Sequence, residues 1–202
     1  PGNKDFFKQL RNICNEKNTL LIFDEVQSGV GRTGRMWGYE NLDIEPDGFT
    51  IAKGLGGGHA IGALLVGNKA NIFKPGDHAS TFGGNPFACT AAITVLNEIN
   101  RRDLLDNVSL RGKQLEEGLD TLENTYPNII SGHRGIGLLQ GIVLDEQIID
   151  SKQITLNAFD QGLLIVPAGG NVVRIIPPLT ISKNEIKKIL DKLTLIFREL
   201  KI

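Results

Sequence analysis

The sequence predicts an α/β protein with a mainly parallel sheet in its first part and a smaller α+β domain in its second part. Three continuous apolar runs suit strands that are buried on both faces, at residues 19–24, 48–52 and 61–66. Helical patterns flank these runs, and strands of this kind imply a sheet covered by helices. After residue 100 the pattern changes to a long helix and shorter strands. We therefore expect two domains, at residues 1–100 and 101–202.

The helices of the first part carry clear signals at their starts. Asn3 can cap a helix whose apolar positions recur at helical spacing, at Phe6, Phe7, Leu10, Ile13 and Cys14. Asn85 and Pro86 begin another helix, since proline is tolerated in the first turn. That helix continues through Ile99 and ends before the boundary at Arg101-Arg102-Asp103.

The second part reads as helices that alternate with short strands. We expect a long helix at about 104–124 and a helix near 151–161. Strands are expected at about 136–144, 163–166 and 172–176. Ser182 and Glu185 have the spacing of a capping box, and they precede the apolar stripe of a final helix.

Composition excludes several classes of protein. The chain has 202 residues, of which 41% are hydrophobic and 22% charged, as in an ordinary globular protein. A net charge of −1 gives no basic field for nucleic acid or anionic membranes, and no apolar run approaches a membrane span. Cys14 and Cys89 form neither a disulfide framework nor a paired metal-ligand spacing, so we expect a reducing cytoplasm and no metal. The chain opens on Pro1 rather than methionine, and we expect it to be trimmed, cleaved or incomplete.

Two polar residues with complementary chemistry follow two of the predicted strands. Asp24 ends the first apolar run, and Lys53 ends the second and precedes the glycine loop 54–58. An aspartate can hold a cationic ring nitrogen, and a lysine can form a Schiff base with an aldehyde. Pyridoxal phosphate needs these two partners from its protein. Either residue by itself would be read as a turn-capping aspartate or a surface lysine, but the pair predicts a site for this cofactor.

Two nucleotide-binding alternatives fail on their context. Asp24-Glu25 after an apolar strand also resembles the metal-binding strand of an ATPase, which requires a loop ending in Gly-Lys-Ser/Thr. The only Gly-Lys pair, Gly112-Lys113, is followed by glutamine. The segment Gly29-x-Gly31-x-x-Gly34 matches a dinucleotide fingerprint, but residues 24–28 separate it from the strand and no helical pattern opens after it. We read it as a glycine-rich turn.

Other polar and aromatic residues leave alternatives open. Ser80 and Thr81 offer two hydroxyls beside flexible glycines, which suits a phosphate or a carboxylate. Arg174 lies within an apolar strand and needs an acidic partner or a ligand carboxylate. Trp37 and Tyr39 are either packing residues or a lip on the site. The three histidines share no ligand spacing and are read as structural or exposed: His59, His78 and His133.

Four segments in combination resemble the class III pyridoxal-phosphate-dependent aminotransferases. They are Asp24-Glu-Val-Gln-Ser-Gly-Val-Gly-Arg-Thr-Gly34, Ala52-Lys-Gly-Leu-Gly-Gly-Gly58, Ser80-Thr-Phe-Gly-Gly-Asn-Pro86 and Val173-Arg-Ile-Ile-Pro-Pro-Leu179. The chain is most similar to members that act on N-acetylornithine, and next to those that act on ornithine. The resemblance implies the C-terminal portion of the pyridoxal phosphate aminotransferase fold, with a partial large domain and the small domain. The missing half would complete the site, on a partner chain or in a longer protein.

The resemblance also implies roles for residues around the cofactor. Lys53 would bind the cofactor as a Schiff base and then shuttle a proton as the catalytic residue. Asp24 would pair with the pyridine nitrogen, Val26 would pack on the ring face, and Gln27 would bond the phenolic oxygen. Thr81 would reach the cofactor phosphate of the neighbouring subunit in a dimer.

On the substrate side, the resemblance places Ser80 beside the substrate and Arg174 near its carboxylate. It implies transfer of the terminal amino group of N-acetylornithine, or a similar ω-amino acid, to 2-oxoglutarate in arginine biosynthesis. Ornithine and 4-aminobutyrate remain alternative donors. A non-catalytic half-protein that needs a partner chain is the alternative from a different class.

Overall fold

The protein is described by a computed structural model that covers residues 2–200. It divides into two compact units, Gly2–Leu105 and a second unit that begins at Asp106. Both units combine helices with a sheet, so the predicted α/β class is confirmed.

Helix α1 (Lys4–Glu16) begins where the cap predicted it. The Asn3 side-chain oxygen accepts from the backbone N–H of Asp5 at 2.7 Å and of Phe6 at 3.4 Å. These bonds satisfy two donors that an α-helix leaves open at its start. The ring of Phe7 meets the ring of Phe23 edge-on, with centroids 5.6 Å apart. Helix α1 therefore packs against the first strand.

The first sheet contains β1 (Ile22–Asp24), β2 (Gly48–Ile51) and β3 (Ala63–Val66), in that order. β1 and β2 are parallel, as expected, but β3 runs antiparallel to β2. A parallel return needs a crossover of about a dozen residues or more, usually a helix. The connection at residues 52–62 is a glycine loop, so the sheet is mixed in this region.

The two faces of this sheet are not equally covered. In β2, Phe49 and Ile51 are buried, as predicted. Leu20, Ile22 and Leu64 are exposed, with Ile22 at 45% and Leu64 at 46%. The prediction that all three strands are buried on both faces is therefore wrong for residues 2–200, because these residues supply no layer over those side chains.

Helix α2 (Pro86–Arg101) closes the first unit, with Pro86 in its first turn as predicted. The Asn85 side-chain oxygen accepts from the backbone N–H of Ala88 at 2.9 Å. The 3-10 turn at Lys53–Gly56 packs against this helix.

The second unit is an antiparallel sheet covered by helices. Its elements are α3 (Leu104–Thr125), β4 (Ile130–Ile136), β5 (Leu139–Leu144), α4 (Ser151–Asp160), β6 (Val166–Ala168), β7 (Val172–Ile175) and α5 (Lys183–Glu199). The strand order is β4-β5-β7-β6. The three helices and β7 lie close to their predicted ranges.

Two strand predictions in this unit need correction. The strand expected at 136–144 is confirmed over Leu139–Leu144 as β5, but residues 136–138 are the end of β4 and the turn at Gly137, whose φ is 57°. Strand β4 was not predicted, because its glycines and the charged Arg134 gave no strand signal. The strand expected at 163–166 begins only at Val166, because residues 161–163 form the turn that closes the end of helix α4. The Leu163 N–H donates to the carbonyl of Ala158 at 2.8 Å, after Gly162 in a left-handed conformation.

The second unit has one continuous hydrophobic core. Fully buried side chains from α3, β5 and α5 meet there, among them Leu115, Leu119, Ile142, Ile186, Leu193 and Phe197. The capping box of α5 is present: Ser182 N–H donates to Glu185 Oε2 at 2.8 Å, and Glu185 N–H donates to Ser182 Oγ at 3.3 Å. Hydrogen bonds from Ser182 hold the pKa of the Glu185 carboxyl below its usual range.

A close backbone contact joins α3 to the β4–β5 turn. A Cβ on Gly112 would lie 2.6 to 2.7 Å from the Cα, carbonyl carbon and carbonyl oxygen of Gly137. We expect Gly112→Ala to lower the free energy of unfolding by about 1–3 kcal/mol, measured by urea denaturation. Gly169→Ala is the matched control, since a Cβ at Gly169 would meet no atom within 4 Å. Equal midpoints for the two variants would contradict this prediction.

Asp47 ties α1 to the start of β1. Its Oδ2 accepts from the Leu21 N–H and from Arg11 Nη1, both at 2.8 Å. The Asp47 side chain is 13% exposed. The Leu21 hydrogen bond and the Arg11 guanidinium hold the pKa of the Asp47 carboxyl below its usual range. A carboxyl with a lowered folded pKa stabilises the protein above its unfolded pKa, and this contribution disappears as the pH falls through the folded pKa.

We therefore expect Asp47→Asn to lower the free energy of unfolding at pH 7 by about 1–3 kcal/mol. The difference from the unmodified chain should shrink as the pH falls below about 4. Denaturant unfolding at pH 7 and at acidic pH measures both effects. Asp43→Asn serves as control, because Asp43 forms an exposed ion pair with Lys4 and should change stability little. A constant difference at all pH values would show that the Asp47 charge is not responsible.

Candidate active site

Asp24 and Lys53 lie at the same edge of the first sheet. Asp24 is the last residue of β1 and stands in register with Thr50 of β2, three residues before Lys53. Because the two strands are parallel, their carboxyl ends leave the sheet at the same edge. The backbone N–H of Glu25 donates to the Thr50 carbonyl at 2.9 Å and extends the pairing one residue past β1. The fold thus places at one sheet edge the two residues that chemistry singled out.

The Asp24 side chain is exposed, and one of its two carboxylate oxygens accepts a hydrogen bond. Its Oδ1 accepts from the backbone N–H of Val26 at 3.0 Å, which caps the turn after the strand. Within residues 2–200 no donor meets Oδ2, so this oxygen can accept from a cationic ligand. Val26 is half-buried and Gln27 is exposed, and both follow directly in the same turn.

Lys53 adopts a backbone conformation that is uncommon for its residue type. Its φ is 46°, in the left-handed region, and its side chain is exposed. Two left-handed glycines follow, Gly57 at 59° and Gly58 at 111°. A Cβ at Gly57 would lie 2.9 Å from Val95 Cγ2, so helix α2 holds the loop closely. Strained backbone of this kind recurs at functional sites, where the surrounding structure enforces it.

Glu25 is a residue of the site that sequence reasoning missed. It is 3% exposed, and its carboxylate accepts three hydrogen bonds. Oε2 accepts from Ser28 Oγ at 2.7 Å and from Gly38 N–H at 2.8 Å, while Oε1 accepts from Tyr39 N–H at 2.6 Å. The sequence feature that reflects this packing is the glycine at position 38. A Cβ there would lie 2.7 Å from Glu25 Oε2.

The glycine-rich segment after Glu25 forms turns. Val30, Gly31 and Gly34 are left-handed, with φ of 55°, 83° and 86°. The Gly31 N–H donates to the Met36 carbonyl at 3.1 Å and closes the loop on itself. No helix begins here, so the reading as a glycine-rich turn is confirmed and the dinucleotide alternative is not.

Trp37 and Tyr39 act as packing residues. Both rings pack on Phe49 of β2, with centroids 5.1 and 5.3 Å from its ring. Of the two alternatives left open by the sequence, packing is the one the structure supports. These contacts attach the far end of the loop to the middle strand.

Ser80 and Thr81 lie on the exposed segment that precedes α2. Ser80 Oγ accepts from the Gly83 N–H at 3.0 Å, so its own proton is available to a ligand. Phe82 beside them is 81% exposed. The segment presents two hydroxyls and an aromatic ring outward.

Arg174 belongs to the second unit. It lies in the middle of the sheet on β7, in register with Gly141 of β5 and Val166 of β6. The residue is half-buried, and its neighbours Val173 and Ile175 are buried.

The histidines have ordinary contacts. His59 and His78 each meet a phenylalanine ring edge-on. His133 Nδ1 lies 2.7 Å from Glu123 Oε2. The described residues contain no group of three or more metal-binding side chains. None of their helices is both long enough and apolar enough to cross a bilayer.

Comparison with known proteins gives consistent matches. The family model for class-III aminotransferases matches residues 1–197. An acetylornithine aminotransferase from Prochlorococcus marinus subsp. pastoris is 70% identical over 200 residues, covering 99% of this chain and 48% of the relative. The acetylornithine aminotransferase of Gloeobacter violaceus is 48% identical, covering 100% of this chain and 50% of the relative.

Solved structures agree with these relatives. Acetylornithine aminotransferase from Elizabethkingia anophelis superposes with a TM-score of 0.89 at 32% identity, covering 98% of this chain and 50% of that one. Ornithine aminotransferase from Toxoplasma gondii superposes with a TM-score of 0.90 at 32% identity, covering 97% of this chain and 47% of that one. A second structure of the Toxoplasma protein has pyridoxal phosphate at its active site in partial occupancy. The chain spans about half the length of the curated relatives it matches, corresponding to their C-terminal half.

Proposed function

The chain belongs to the class-III aminotransferases, and from this premise we propose that it transfers the terminal amino group of N-acetylornithine to 2-oxoglutarate with pyridoxal phosphate. The observation that carries the proposal is the convergence of Asp24 and Lys53 at one edge of a parallel strand pair. The names of the relatives at 48% to 70% identity support the amino donor.

The residues at this edge fit the cofactor. A pyridinium nitrogen needs an anion, and the exposed Asp24 carboxylate has Oδ2 available. An aldehyde needs an amine, which the exposed Lys53 provides. A phosphate needs donors, and the exposed Thr81 hydroxyl is one of this kind for the cofactor of a neighbouring subunit. When bound, pyridoxal phosphate supplies an electron-accepting ring that stabilises negative charge on the substrate carbon.

Each side chain at this edge has a separate role in the proposed reaction. The Lys53 amine would hold the cofactor through its aldehyde, with loss of water, and would move a proton at the substrate carbon. The Asp24 carboxylate keeps the pyridine nitrogen protonated, and an ion pair at about 4 Å with an effective dielectric near 20 contributes roughly 4 kcal/mol before desolvation. Val26 packs on the ring, and the Gln27 amide donates to the phenolic oxygen.

Substrate groups are assigned to two further residues. The Ser80 hydroxyl, which accepts from Gly83, keeps its proton to donate to the acyl carbonyl of the substrate. The Arg174 guanidinium binds a carboxylate of the amino acid or of 2-oxoglutarate through paired hydrogen bonds.

A partner is part of the proposal. Thr81 reaches the cofactor phosphate of a neighbouring subunit in a homodimer, consistent with its exposed segment. Apolar side chains uncovered on the first sheet, such as Ile22 and Leu64, mark a surface that further chain covers. The half that the longer relatives carry would come from the same polypeptide or from a partner chain.

The wider setting follows from the reaction and the composition. In this proposal residues 1–100 act as the partial large cofactor-binding domain, and residues 101–202 act as the small domain. Removal of the amine from N-acetylornithine is a step of arginine biosynthesis. The two unpaired cysteines, Cys14 and Cys89, favour the cytoplasm.

The role of Lys53 is tested by absorbance with added pyridoxal phosphate. We expect Lys53→Ala to abolish the visible band that a lysine amine gives this cofactor, along with turnover. Asp24→Asn should keep the band and slow turnover by orders of magnitude, because only the charge on the ring nitrogen changes. The chain is tested with the N-terminal half of a relative present. A band that survives in Lys53→Ala, or no band in the unmodified complex, would favour a non-catalytic half-protein.

Substrate choice is tested by comparing kcat/KM for N-acetylornithine and free ornithine in the same complex. We expect the acetylated donor to be preferred by tenfold or more, about 1.4 kcal/mol in transition-state binding. Ser80→Ala should narrow this preference, since it removes the donor to the acyl carbonyl. A tenfold preference for ornithine, the substrate named in the Toxoplasma structure, would overturn the donor while leaving the aminotransferase assignment in place.

A further inference from the structure

Glu25 is a buried carboxylate that the chemistry above does not use. It follows Asp24 directly, yet it points into the loop, where it is 3% exposed. Its partners are Ser28, three residues away, and the backbone of Gly38 and Tyr39, 13 and 14 residues away. One side chain therefore joins the start and the end of the loop at residues 26–39.

The geometry requires both carboxylate oxygens to act as acceptors. Gly38 N–H donates to Oε2, and Tyr39 N–H donates to Oε1. A glutamine has the same shape, but one of its terminal atoms is an NH₂ donor. Whichever way that amide turns, the NH₂ group faces a backbone N–H and leaves it unsatisfied. A buried donor without an acceptor is costly, so the site selects the anion over its isostere.

Both ends of the loop are attached to the sheet. At the near end, Glu25 N–H donates to the Thr50 carbonyl at 2.9 Å. At the far end, the rings of Trp37 and Tyr39 pack on Phe49. The Glu25 carboxylate joins the two attached ends, because it accepts from the backbone N–H groups of Gly38 and Tyr39.

We propose that Glu25 is a positioning residue for the cofactor site, holding the loop 26–39 so that Val26 and Gln27 face the ring next to Asp24. This inference rests on the proposed function. Glu25 touches neither cofactor nor substrate and acts through the two residues that follow it.

The test uses Glu25→Gln together with Ser28→Ala, which removes one of the three bonds. Without cofactor, trypsin cleavage after Arg32 and Arg35 reports the loop directly. With cofactor, absorbance titration reports affinity, and the pH at which the visible band changes reports the Gln27 contact with the phenolic oxygen. We expect Glu25→Gln to raise cleavage and weaken pyridoxal phosphate binding by about tenfold or more, as for one lost charged hydrogen bond. Ser28→Ala should also raise cleavage and weaken pyridoxal phosphate binding, but by less than Glu25→Gln does.

Two controls separate positioning from general damage. Glu45→Gln removes an exposed carboxylate of the same unit. Gly112→Ala destabilises the second unit through its close contact with Gly137. Neither should alter loop cleavage or the band.

Unchanged cleavage in Glu25→Gln would overturn the proposal, as would faster cleavage with unchanged cofactor affinity and band. If the unmodified chain with its complementing half showed no band, the proposed function would fail and the positioning role with it. If the unmodified complex shows the band while Glu25→Gln binds pyridoxal phosphate more weakly and is cleaved faster, the proposal is supported.

Discussion

The parallel pairing of β1 with β2 is the constraint on which the candidate site depends. At the entrance, Leu21 N–H donates to the Asp47 carboxylate, and Asp47 N–H donates back to the Leu21 carbonyl at 2.8 Å. At the exit, Glu25 N–H donates to Thr50. The register between these two points sets Asp24 against the strand that leads into Lys53. A shift by one residue would turn the Asp24 side chain to the other face of the sheet.

The two units are stabilised differently. The second unit closes one continuous core, with Leu193 fully buried and Phe197 only 1% exposed. The first unit concentrates its polar bonds around Asp47 and Glu25 while apolar side chains stay uncovered on its sheet. Near the site, directional hydrogen bonds of Glu25 act together with buried side chains such as Val30, Phe49 and Leu55.

Local features were predictable from the sequence, and non-local ones were not. The helix caps at Asn3, Asn85 and Ser182 involve donors within three residues, so the sequence contains the whole interaction. Strand β4 and the antiparallel direction of β3 depend on partners across the sheet, which no short pattern encodes. Asp24 and Lys53 were found by their chemistry, because each ends a clear apolar run. Glu25 was missed because its two backbone donors lie 13 and 14 residues away.

The contact between Gly112 and Gly137 restricts how this sequence can change over evolutionary time. Gly137 is left-handed and turns the hairpin, while Gly112 leaves room for the backbone of that turn. Neither position has a smaller residue available, so no second mutation can compensate a change at the first. Drift at the two positions is therefore opposed by packing geometry. If relatives keep both glycines, that invariance reports packing in the second unit and says nothing about catalysis.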